Sequence, residues 1–171
     1  SAADLKAVTE KTTGTVTLQS AQTISGSGTD VTAVLITDAV TLSAASNATV
    51  TGNVTAEVAG NIANVTDITA AFSGTITDTL ANLADSGSIS TNFSRARGDD
   101  TDVKVVVSDG TGTLSAADLA AITAKTSGTV TLQNAQTVSG SGSDLVAALK
   151  TDPVTLSAAS NATVTGNVTA E

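Results

Sequence analysis

The chain has 171 residues, 40% of them hydrophobic but only 1% aromatic, with no Trp, Tyr, Met, Cys or His, so its interior must be built from Ala, Val, Leu and Ile. Sixteen carboxylates against seven Lys and Arg leave a net charge of -9, which repels nucleic-acid phosphates and anionic membrane surfaces. Without His or Cys the chain lacks the common general base, the thiolate nucleophile, the usual transition-metal ligands and any disulfide.

In chain order, Ser1-Ala-Ala-Asp4 reads as a helix N-cap with an acid at the third helical position. Leu5 and Val8 follow three apart on one face, which predicts a helix near residues 2 to 11. The segment GTVT from Gly14 reads as a strand with Val16 inward, because Thr, Val and Ile suit a pleated surface and the chain carries 32 Thr. Ser27 with Asp30 repeats the cap and predicts a helix near 28 to 35, after which Leu42 points inward between polar neighbours. Echoes of the glycine, polar, aliphatic, Thr or Ser pattern start at Gly52, Gly74, Gly87, Gly112, Gly128 and Gly166, and their alternation turns Ile76 and Val130 inward. Ser115 with Asp118 and Ser141 with Asp144 predict two more helices, near 116 to 125 and 142 to 149, and Leu156 is the last inward position. No apolar run approaches the roughly 18 to 20 residues of a membrane span, and no charged-then-apolar leader opens the chain at Ser1.

Residues 1 to 57 align without a gap onto 115 to 171 with 12 differences. The chain therefore reads as a single fragment of a tandem array, in which residues 1–114 are one full long repeat and 115–171 the first half of the next. Gly14 to Gly52, Gly74 to Gly112 and Gly128 to Gly166 are each 38 residues, which two turns of about 19 would fill. The fold expected on that spacing is mainly β: a right-handed parallel β-solenoid of about nine coils with short helices inserted in some of them. Coils cut from an array lack polar caps, so head-to-tail self-association through the exposed ends is expected as well.

The densest charge run, SRARGDDTDVK at residues 94 to 104, holds the one candidate metal site, Asp99, Asp100 and Asp102. Clustered carboxylates on a loop suit calcium, the only cofactor the sequence invites, and the alternative to a plain scaffold is a solenoid with a specific ligand site, for calcium or polysaccharide, around residues 94–104. Against it, Arg95, Arg97 and Lys104 flank the acids and can pair with them as surface ions, and neither an EF-hand spacing nor the calcium nonapeptide is present. Arg97-Gly98-Asp99 spells a tripeptide some adhesion receptors recognise, though three-residue matches arise often by chance. Six Asn-x-Ser/Thr triplets, from Asn47, Asn53, Asn64, Asn92, Asn161 and Asn167, are glycosylation acceptors only in a suitable secretory host. Parallel β-helix enzymes acting on polysaccharides form the rival class, but sugar clefts rely on aromatic platforms and this chain has no Trp or Tyr. No catalytic residue is assigned.

The phrases LSAADLAAITAKTSGTVTL and AQTVSGSGSDLVAAL resemble the Ala/Thr-rich tandem repeats of giant secreted or surface-layer bacterial proteins of adhesin or haemolysin-like type, cyanobacterial ones above all. That resemblance implies an extracellular or cell-surface scaffold, non-enzymatic, with an acidic surface and repeated modules. The calcium nonapeptides frequent in such proteins are missing here.

Overall fold

The computed structural model describes residues 1–38, 40–151, 154–156 and 159–166. Along the chain run α1 (Ala2–Thr9), β1 (Thr17–Leu18), β2 (Thr23–Ser27), α2 (Gly28–Thr32, continued by a π-helical turn Ala33–Thr37), β3 (Thr41–Leu42), β4 (Ser46–Thr51), α3 (Ala56–Ala63), β5 (Ile68–Phe72) and β6 (Thr75–Asp78). There follow α4 (Leu80–Leu83), β7 (Ala84–Asp85), β8 (Ser88–Ile89), α5 (Thr91–Asp99), β9 (Lys104–Val107), β10 (Gly112–Ser115), α6 (Ala116–Thr123), β11 (Val130–Leu132), β12 (Gln136–Gly140), α7 (Gly142–Val146, continued by a π-helical turn Ala147–Thr151), β13 (Thr155–Leu156) and β14 (Asn161–Val164).

Four helices begin where a serine can cap them. The hydroxyls of Ser1, Ser27, Ser115 and Ser141 accept hydrogen bonds from the amides of Asp4, Asp30, Asp118 and Asp144, satisfying donors that the first helical turn leaves orphaned. Two further helices, α3 and α5, are capped by Thr55 and Ser90, which accept from Val58 and Phe93. These lack an acid at the third position, so the capping signal did not mark them. Their inner faces are apolar: Ala59 and Ile62 on α3, Phe93 and Ala96 on α5, all buried. The two helices approach closely because Gly60 has no side chain; a Cβ there would sit 2.6 Å from the Asn92 Cα.

Parallel pairing joins β2, β4 and β5 in one sheet, β10, β12 and β14 in a second, and β6, β9, β11 and β13 in a third, with β1 and β3 as a separate pair. The β7–β8 hairpin is antiparallel and turns through Ser86 and Gly87, both at positive φ. Inside the duplicated segments the register steps by 24 residues: Thr17 faces Thr41, Thr23 faces Asn47, Thr131 faces Thr155 and Thr137 faces Asn161. In the unduplicated middle the step changes, Asn47 facing Thr69 and Thr75 facing Lys104.

This corrects the expectation of a mainly β, right-handed parallel β-solenoid with about 19 residues per coil. The chain is mixed α/β, 35% helix and 32% strand, in separate sheets of two to four strands. Glycines 38 residues apart share a motif but are not the turns that stack. Gly52 and Gly74 do stack: a Cβ on Gly74 would collide with the Gly52 carbonyl, and Val54 bridges Ile76 beside them. Between successive turns the chain inserts helices, and these lengthen each step beyond 19.

The core runs through all three parallel sheets and is mostly Val, Ile, Leu and Ala, with both phenylalanines, Phe72 and Phe93, buried in it. Ile76 and Val130 are buried, and Val16 and Leu42 pack partly buried against the core. Leu156 departs from its expected place and is exposed, on a strand that among the described residues pairs only with β11. Among the described residues no helix is long and apolar enough to cross a membrane.

Candidate functional site

Residues 94 to 104 are placed by α5. Phe93 and Ala96 anchor its inner face in the core, and the helix ends at Asp100, whose backbone turns extended. That exit carries two successive carboxylates along the edge of β5 opposite β4. The Asp99 carboxylate accepts from the Ala70 amide at 2.8 Å, and the Asp100 carboxylate accepts from the Phe72 amide at 2.6 Å. Ala70 and Phe72 are two apart, so their N–H groups leave the same edge of the strand. The two side chains occupy the positions where carbonyls of a further strand would sit, and they end the sheet there.

Asp102 is exposed, and its carboxyl lies beside that of Asp100. Burial, and then the Asp102 carboxyl beside it, hold the Asp100 carboxyl above the ordinary carboxylate range, against the lowering effect of the Phe72 amide. The structure therefore brings Asp100 and Asp102 together while Asp99 serves Ala70. Among the described residues there is no group of three or more acids arranged to hold a metal ion. The flanking cations do not neutralise the acids either, since none of the ion pairs found among the described residues involves Arg95, Arg97 or Lys104. Arg97 instead donates through Nε to the Lys125 carbonyl at 2.7 Å. The Arg97-Gly98-Asp99 tripeptide thus lies at the end of a helix with both charged members engaged inside the fold.

Three further aspartates do the same work; sequence marked Asp118 only for its place in a helix cap, and Asp78 and Asp109 not at all. Asp78 accepts from the Ala56 amide at 3.0 Å and Asp109 from the Leu80 amide at 2.6 Å, each the first helical residue of α3 and α4. Asp118 accepts from the Gly87 amide at 2.6 Å in the β7–β8 turn. A helix N-terminus leaves orphan donors and a partial positive charge, and a carboxylate satisfies both. The readable signal was an isolated Asp closing a strand, as in Ile76-Thr77-Asp78 or Val107-Ser108-Asp109. Its partner, 22 to 31 residues earlier, was not readable.

A cleft of about 650 Å³ lies between α2 and the turn from β4 into α3. Its polar lining is hydroxyl and amide, from Ser27, Thr29, Thr51, Asn53 and Thr55, with no carboxylate, cation or aromatic ring. Four glycosylation triplets, at Asn47, Asn53, Asn64 and Asn161, begin at exposed positions, Asn92 is half-buried, and Asn167 lies outside the described residues. No family model, curated protein or solved structure matches this chain.

Proposed function

We propose that the chain is a non-enzymatic structural repeat module of a large extracellular or cell-surface protein, serving as an elongated scaffold or adhesive spacer that associates end to end. The observation that carries this reading is the paired register: two segments 114 residues apart, 12 differences between them, build strands with the same 24-residue parallel step. A sequence repeated and folded in the same register adds length by adding copies, with each copy contacting its neighbours. The chemistry of the acids supports it. Five carboxylates, Asp99 and Asp100 of the candidate metal site among them, accept from backbone amides of earlier segments, so the negative charge is used partly to hold the chain together.

Reading residues 94 to 104 as a calcium or polysaccharide site loses support on the same ground, because the Asp99 and Asp100 oxygens are engaged by the β5 edge and both aromatic rings are buried. The scaffold reading is tested by joining one, two and three 114-residue periods in a single chain and recording small-angle X-ray scattering. A maximum dimension that grows by a constant increment at constant cross-section supports it; a globule that thickens with each added period overturns it.

A further inference from the structure

The duplication places the same strands in covered and uncovered surroundings within one molecule. β11 and β12 are covered on one side by β9 and β10 and on the other by β13 and β14. Among the described residues, their sequence equivalents near the start of the chain, residues 16–18 and β2, pair on one side only, with β3 and β4. Side chains register the difference. Leu132 and Val130 are buried, whereas Leu18 and Val16 are half-buried; Ile122 is 0% exposed, whereas its counterpart Val8 is 51% exposed.

The other end shows the converse. β14 repeats residues 47–50 of β4 identically, yet β4 is covered by β5 and Val50 is 0% exposed, while no described strand covers the far side of β14 and Val164 is 46% exposed. Leu156 and Val146 are open beside it, at 45% and 52%. One end thus offers an uncovered lower side of the repeated layer, and the other an uncovered upper side.

We propose that a second copy of this chain fills each side: β13 and β14 of one molecule lie parallel along β1 and β2 of the next, with Leu156 opposite Leu18 and Ala162 opposite Ile24. This rests on the scaffold reading and specifies its junction. Both pairings follow from the 24-residue step by which β11 and β12 already receive β13 and β14, so one placement serves both strands. It also sets α1, with Leu5 and Val8, toward the α7 end and its Val146, as α6 already packs against α7. The contact is heterologous and runs on as a filament instead of closing into a dimer. The charge of -9 opposes it, and screening shortens that repulsion from about 30 Å at 0.01 M salt to about 10 Å at 0.1 M.

The free edges can be blocked separately. The Thr165 amide donates to the Gly140 carbonyl, so by alternation the Ala162 amide faces the open edge of β14. The Gln22 amide donates to the Ser46 hydroxyl on the covered side, so the Thr23 amide faces the open edge of β2. Proline at either position removes an unpaired donor without taking a bond from the existing ladder. Sedimentation velocity on the full chain should show association that increases several-fold with salt, and its loss in Ala162→Pro and in Thr23→Pro. Mixing the two variants should restore one junction and give a discrete 1:1 dimer. Far-UV circular dichroism checks that both variants are folded, and Val164→Lys, at an exposed position, should abolish association if either proline variant fails to fold. A parent chain that stays monomeric at every salt concentration, association that survives Val164→Lys, or a mixture of folded proline variants that stays monomeric would overturn the junction. Covalently joined periods can still lengthen in scattering when this junction fails, so the scaffold reading falls or stands separately.

Discussion

Asp100 closes the open edge of β5 by accepting a 2.6 Å hydrogen bond from the Phe72 amide, 28 residues earlier in the chain. Burial and the neighbouring Asp102 raise its carboxyl pKa, so the folded chain holds this proton more tightly than the unfolded chain. The ionised group therefore weakens the fold above its folded pKa, and the penalty vanishes as pH falls below the ordinary aspartate value. Asp100→Asn keeps an amide oxygen for Phe72 and removes the charge facing Asp102. Its melting temperature should exceed the parent's at pH 7, with the gap narrowing toward pH 3. Asp100→Ala leaves a donor of the buried Phe72 unmatched and should cost about 1–3 kcal/mol in urea unfolding at pH 7.

Two glycine substitutions should move stability in opposite directions. Gly60→Ala puts a Cβ 2.6 Å from the Asn92 Cα and must push α3 away from α5, an overpacking cost of about 1–3 kcal/mol. Gly98 lies in α5 with open space around the same position. Gly98→Ala should stabilise by up to about 1 kcal/mol through helix propensity. Denaturant midpoints of the two variants against the parent decide both.

Val8 and Ile122 are equivalent in sequence and opposite in burial. Ile122→Ala should cost about 2–5 kcal/mol, as a truncation in a packed core does, while Val8→Ala should stay within about 0.5 kcal/mol. The comparison belongs at low salt, where molecules are kept apart. Equal losses at the two sites would show that Val8 is covered in the free chain.

Calcium should leave the melting temperature unchanged. A ligand that binds only the folded state raises its stability, but Asp99 and Asp100 already satisfy Ala70 and Phe72. Thermal melts in millimolar calcium and in chelator should superimpose; a rise in calcium that disappears in Asp102→Asn would restore the acid cluster as a metal site.

The sequence by itself determined the four helix starts at Ser1, Ser27, Ser115 and Ser141, because a serine cap closes over only three residues and needs nothing from the rest of the chain. It also determined which residues of a strand share a face, so Ile76 and Val130 entered the core as their polar neighbours require. Tertiary structure decided what lies across each face and edge. Leu42 and Leu156 share the same local sequence, yet Leu42 packs against the core and Leu156 is exposed, since burial depends on a covering element that no local alternation encodes. Glycine spacing marked the turns but could not say that Gly74 stacks on Gly52. Nor could the run of acids at 99 to 102 say that its partners are the amides of Ala70 and Phe72. Those pairings join segments 22 to 29 residues apart through helices of unequal length, and only the packing of those helices sets which backbone donor meets which carboxylate.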